Sequence, residues 1–154
     1  MRSAHRRVRR PVPPPGIPSR LSRRWTVPLT ISALWALICR IEHDLQAYAP
    51  SQTAREDIIL GLVEAMSNAH SGSQHAQSGQ RIVVGLDVSR RSVRLVIKDP
   101  GQGFPFRQRP VTLVQAEREE GRGLFLIERV MDRVTWSESG NAIRMERHWH
   151  CDRP

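Results

Sequence analysis

The chain from Arg81 to Lys98 reads RIVVGLDV (residues 81–88), SRR (89–91) and SVRLVIK (92–98). Both outer runs alternate β-branched or leucine side chains with small or polar ones, the period of a strand with one buried face. The three residues between them are a hairpin-length link, so the two strands are expected to pair antiparallel. A sheet built from such hairpins belongs to a different fold class from one built by parallel crossovers.

Upstream, residues 71–80 are rich in Ser, Gly, His and Gln and read as a loop. Before that loop, Ile58, Ile59, Leu62, Val63 and Met66 mark one side of a helix from about Thr53 to Ala69, with Ser51 or Thr53 as its cap. An earlier helix carries Leu34, Leu37, Ile38, Ile41, Leu45 and Tyr48 at three- and four-residue intervals and ends at Ala49-Pro50. Folded structure is expected from Trp25, with a short extended segment to Leu29, because Pro28 disfavours helix before it. Downstream of the hairpin come Asp99-Pro100-Gly101-Gln102-Gly103-Phe104, an irregular polar stretch to Glu120, and a helix opened by Gly121-Arg122-Gly123 and running to about Met131. Two last strands, 133–137 and 142–149, meet at a Ser139-Gly140-Asn141 turn. Helices first and strands mostly later favour an α+β sandwich with an antiparallel sheet over a doubly wound fold.

Composition narrows the function classes. The 154 residues suit one domain, too short for two enzymatic lobes. The formal charge of +9 would mark a polyanion binder, but eight of the 24 basic residues precede Trp25, where there is no acid. Residues 1–24 therefore hold +8 and the rest +1, a nearly neutral body with a basic tail. Five prolines among those arginines make the tail read as disordered, with no role assigned to it. The expected organisation is thus a tail over 1–24, a domain over 25–150 and a short end over 151–154. Cys39 and Cys151 belong to no CxxC pattern, which fits a reduced, cytoplasmic protein. The apolar run from Val27 to Cys39 is shorter than the roughly 20 residues of a spanning helix. His148, His150 and Cys151 do not make a metal site, because a strand puts Cys151 on the opposite side from the two histidines and no fourth ligand follows.

Three features carry chemistry. Glu64 and Asn68 stand at i and i+4, on one helix face and a turn apart. A carboxylate there can act as general base, and an amide oxygen beside it can complete the shell of a phosphate-bound Mg²⁺. Taken alone, any amphipathic helix shows such a pair. Asp99 at a strand end, followed by Gly101 and Gly103, offers an acceptor for an exocyclic amine and a backbone a ligand can approach, though Asp, Pro and Gly also make simple turns. Gly121-Arg122-Gly123-Leu124 begins a helix whose free amides suit a phosphate, while Arg122 itself reads as a solvated side chain.

In this order, Glu64-Ala65-Met66-Ser67-Asn68-Ala69, Asp99-x-Gly101-x-Gly103-Phe104 and Gly121-Arg122-Gly123-Leu124-Phe125 resemble the N, G1 and G2 boxes of the GHKL ATPase superfamily. The compact size, Arg55-Glu56-Asp57 ahead of the first box and the short gap between glycine boxes are most similar to the bacterial anti-sigma-factor serine/threonine kinases. The resemblance covers about Val27 to Trp149. It implies the histidine kinase-like ATPase fold: a two-layer α+β sandwich with a mixed, mainly antiparallel sheet covered on one face by about three helices. It further implies ATP and Mg²⁺ as cofactors, Glu64 as general base, Asn68 as the metal ligand and Asp99 as the acceptor of the adenine amine. Gly101 and Gly103 would form the adenine-side turn. Gly121, Arg122, Gly123 and Leu124 would line the phosphates, under a lid over about Phe104 to Glu120. Implied partners are a sigma factor and an antagonist protein, with a homodimer as a further option. A membrane partner is not expected, and nucleic acid is not expected for the domain. Gly72 stands where many kinase-type members carry histidine, and Ala142 follows Asn141 where a threonine is frequent. Both departures bear on phosphoryl transfer more than on nucleotide binding, which leaves a non-catalytic, partner-sequestering module or a detached histidine-kinase ATPase domain as alternatives.

Overall fold

The computed structural model describes residues 20–48, 51–72, 79–101 and 119–149. Gly103, His150, Cys151, most of the expected lid and the first 19 residues of the expected tail lie outside the described residues. In chain order the elements are β1 (Arg20–Pro28), α1 (Ile31–Gln46), α2 (Gln52–Gly72), β2 (Arg81–Ser89), β3 (Ser92–Lys98), α3 (Glu119–Val130), β4 (Arg133–Trp136) and β5 (Ala142–His148).

The hairpin of β2 and β3 forms the middle of a five-stranded sheet of order β1-β2-β3-β5-β4. Every adjacent pair is antiparallel. Strict alternation turns Ile82, Val84, Leu86 and Val88 of β2 and Val93, Leu95 and Ile97 of β3 to one side, all at most 2% exposed. The three helices cover that side. Ile41 and Leu45 from α1, Ile58, Leu62 and Met66 from α2, Ile127 from α3 and Met145 from β5 meet there in one core, each 0–1% exposed. Burying an aliphatic side chain of this size contributes about 1.5–3 kcal/mol. This core is what holds the helix layer on the sheet.

β1 begins at Arg20, five residues before the expected start of the domain at Trp25. The register runs from Arg20 opposite Ser89 to Pro28 opposite Arg81, so ladder hydrogen bonds carry the strand through its charged half. Arg23 turns to the helix side and meets Asp44 of α1 at 3.2 Å. An edge strand needs burial on one side chain in two only, which Leu21, Trp25 and Val27 supply as partly buried residues against the core.

Helix ends differ from expectation by a few residues. Thr30 caps α1 by accepting a hydrogen bond from the Ala33 amide at 3.3 Å, and Tyr48 lies past the helix in a turn, its amide donating to Leu45 O. Ser51 caps α2, with Ala54 N–H donating to its hydroxyl at 3.1 Å. α2 runs on to Gly72, taking in the first residues of the expected loop. α3 starts at Glu119, so Gly121 and Gly123 fall inside its first turns and not ahead of them. The turn before β5 uses Gly140 at φ 74°, a left-handed conformation that favours glycine.

Candidate functional site

Glu64 and Asn68 lie on the exposed flank of α2, opposite the side that carries Leu62, Ala65, Met66 and Ala69 into the core. α3 crosses this flank at Gly123. A Cβ at that position would stand 2.9 Å from Glu64 Oε2, 3.1 Å from Asn68 Oδ1 and 3.4 Å from Asn68 Nδ2. The tertiary structure thus brings the first and third sequence features into contact and leaves no room between them for a methyl group. One turn further on, Gly61 faces Met131, where a Cβ would lie 3.2 Å from Sδ, so a second glycine lets the helices approach closely. Neither the Glu64 carboxylate nor the Asn68 amide bonds to another side chain among the described residues. Both are left available for a ligand.

The first four amides of a helix have no partner within it. In α3 the described ones belong to Glu119, Glu120 and Gly121, shortly before the Gly123 contact. Arg122 is exposed, in accord with a solvated side chain, and Leu124 packs partly buried against the core. Hence the glycine box has two distinct placements: Gly121 lies among free amides, whereas Gly123 serves the close approach to Glu64 and Asn68.

Asp99 leaves the end of β3 at the same edge of the sheet as the β4–β5 turn. Its carboxylate accepts the Gly101 amide at 2.7 Å through Oδ1. Burial pushes the Asp99 carboxyl above its ordinary range, and the hydrogen bonds from the Gly101 and Asp99 amides oppose that shift without cancelling it. One oxygen is engaged in holding the turn, and Oδ2 is the acceptor left for a ligand amine. Gly101 is exposed.

Asn141 was not singled out by the motifs, yet it holds both ends of this turn. Its backbone oxygen accepts the Asp99 amide at 2.9 Å, and its side-chain Nδ2 donates to Gly101 O at 3.4 Å. The hydroxyls of Ser139 and Ser137 donate to Asn141 Oδ1 at 2.7 and 3.2 Å, which fixes the amide orientation. No sequence signal links Asn141 to Asp99, since they meet only through β3 pairing with β5.

The donor set fits a Mg²⁺-nucleotide: hard oxygens at Glu64 and Asn68, free helix amides beside them, and a carboxylate acceptor at a strand end. Gly123 supplies the structural test, since any larger residue would fill the cradle next to the two oxygen donors. His148 is exposed at the end of β5 with its amide donating to Asp132 at 2.6 Å.

The chain is 33% identical over 101 residues to the serine-protein kinase RsbW of Staphylococcus epidermidis, covering 58% of this chain and 63% of the relative. It is 29% identical over 103 residues to the serine-protein kinase RsbW of Staphylococcus aureus (strain bovine RF122 / ET3-1), covering 60% and 65%. The match therefore spans a little under two thirds of the length of these curated relatives. The histidine kinase-like ATPase domain family matches over residues 30–147, from the cap of α1 to the penultimate residue of β5, and the chain belongs to this family.

Proposed function

We propose that the protein is a cytoplasmic anti-sigma regulatory factor acting as an Mg-ATP-dependent serine/threonine kinase. In this reading it binds a sigma factor and phosphorylates a serine of a small antagonist protein. The observation that carries the reading is the convergence of Glu64, Asn68 and the Gly123 backbone within contact distance. The kinship with serine-protein kinases adds the reaction class and the family resemblance adds the partners.

Each residue then has a task. Asp99 accepts a hydrogen bond from the adenine amine through the oxygen not engaged by Gly101, and Gly101 and Gly103 let the base lie against backbone. Gly121, Arg122, Gly123 and Leu124 present the start of α3 to the phosphates. Asn68 supplies an oxygen to Mg²⁺, which when bound neutralises phosphate charge. Glu64 takes the proton of the attacking serine hydroxyl. Phosphoryl transfer asks a protein for positioning and charge compensation more than for covalent chemistry, which such a small set of groups can provide.

The test uses radiolabelled ATP, the full chain and a purified antagonist protein of the anti-sigma type. Glu64→Gln is expected to lower label transfer to the partner serine by roughly 10²–10⁴-fold while nucleotide binding stays within a few-fold, because only proton transfer is removed. Asn68→Ala is expected to abolish the Mg²⁺-dependent part of ATP binding. Wild-type protein that binds no ATP at millimolar concentration overturns the reading. Gly72 and Ala142, at the positions that depart from the kinase pattern, favour one second reading: nucleotide binding and tight partner binding without any label transfer.

A further inference from the structure

The sum of +4 over residues 20–149 hides two oppositely charged layers. The three helices hold eight acidic residues against four arginines. On the sheet, the residues turned away from the helices include seven cations and only two acids, Asp87 and Glu146. Arg94 pairs with Glu146 at 2.9 Å, and Arg20 reaches Asp87 at 4.0 Å. Arg81 donates to Thr26 O. Arg24, Lys98, Arg133 and Arg144 remain, all exposed and with no ion pair among the described residues.

Register fixes how these four are arrayed. Lys98 of β3 lies opposite Ala142, Arg144 stands two residues along β5 and opposite Thr135, and Arg133 stands two residues back along β4, opposite Glu146. The three therefore form a diagonal across neighbouring strands with steps of about 7–8 Å. Arg24 lies in the same row as Arg144, with only Gly85 and Val96 between them. That row spans about 14 Å at ordinary strand spacing.

We infer that the solvent-facing side of the sheet is a docking surface for the phosphate backbone of double-stranded nucleic acid. Charge complementarity selects a polyanion, and the rest of the surface selects which kind. Protein partners are anchored by aromatic or large apolar side chains that fill pockets, and the described part of this face offers only Pro28, Val83, Val96 and Ala142. Single strands are held by bases stacked on aromatic rings. Trp25, Trp136 and Trp149 all pack on the core side, so the face lacks such a platform among the described residues. Phosphates along a duplex require cations alone. The same polarity continues into the sequence before β1, where Arg2, Arg6, Arg7, Arg9 and Arg10 stand with no acid. This inference uses none of the residues assigned to the nucleotide site.

The experiment measures binding of the full chain to a fluorescent 25-base-pair DNA duplex of arbitrary sequence by anisotropy, over a salt series. Neutralising four phosphates gives a slope of log K against log salt of about −3.6 from the face alone. Arg24→Gln/Arg144→Gln is expected to weaken binding at least tenfold at 50 mM salt and to reduce the slope by about two. The control Arg40→Gln/Arg129→Gln, which removes the same charge from the helix layer, is expected to stay within about threefold. A third variant with the five tail arginines changed to Gln is expected to bind more weakly but to keep the loss caused by the face substitutions. ATP binding and thermal melts of each variant verify that it is folded. Equal behaviour of face and control variants overturns the inference, as does complete loss of binding in the tail variant. Tighter binding of polyglutamate or of single-stranded DNA than of the duplex overturns it as well.

Discussion

At Gly123 a methyl group is enough to disturb the site. Its added Cβ would meet Glu64 Oε2 at 2.9 Å and Asn68 Oδ1 at 3.1 Å, both the far ends of flexible side chains. Those ends can swing aside, so Gly123→Ala is expected to change thermal stability by about 1 kcal/mol or less. They cannot swing aside and keep their positions relative to the start of α3. The same variant is therefore expected to lose at least tenfold in Mg-ATP affinity, measured by titration calorimetry. Gly72→Ala is the matched comparison, since a Cβ there meets nothing within 4 Å, and it is expected to leave both stability and nucleotide affinity unchanged. Equal nucleotide affinity of the two variants would remove Gly123 from the site.

At the scale of elements, Arg147 of β5 ties α2 to the segment that links α3 and β4. Its guanidinium reaches Asp57 at 2.8 Å and Asp132 at 3.0 Å. Burial pushes the Asp132 carboxyl up, but the His148 amide, the Arg147 charge and hydrogen bond and the His148 charge together outweigh it and hold the group below the usual carboxylate range. A depressed carboxyl contributes stability that is present above its unfolded pKa and is lost as pH falls through the folded one. Urea unfolding measured from pH 7 downward is thus expected to show wild-type stability declining through and below the ordinary carboxylate range. Asp132→Asn is expected to be less stable at pH 7 and to lose less than wild type over the same acid interval. A parallel pair of stability curves would show that the tie does not titrate.

Over the whole molecule, one core joins both layers, and Ile58 sits in it with no exposure. Ile58→Ala is expected to cost about 2–5 kcal/mol in denaturant unfolding, because the cavity would lie between α2 and a sheet that cannot collapse onto it. A cost under 1 kcal/mol would mean that the helix layer is not held by this core. Local pattern made much of the architecture legible: the period of two in Ile82 to Val88 and Val93 to Ile97 defined the central hairpin, and the i, i+3, i+4 spacing of Leu34 to Leu45 defined α1, since each depends on residues that are neighbours in the chain. The first half of β1 was illegible because its arginines lack any apolar period, and only pairing with β2 makes it a strand. The pairing of Glu64 with Asn68 was legible for the same reason as α1. Their meeting with Gly123, and the clamp of Asn141 on the Asp99 turn, were not, because helix crossing and strand pairing join residues about 40 to 60 positions apart. Charge shows the division most plainly: the sequence by itself determined that residues 25–154 sum to +1 and residues 1–24 to +8. Only the tertiary structure decided that the acids collect on the helices and the cations on the open side of the sheet, because a strand sends alternate side chains to opposite faces and the core claims one of them.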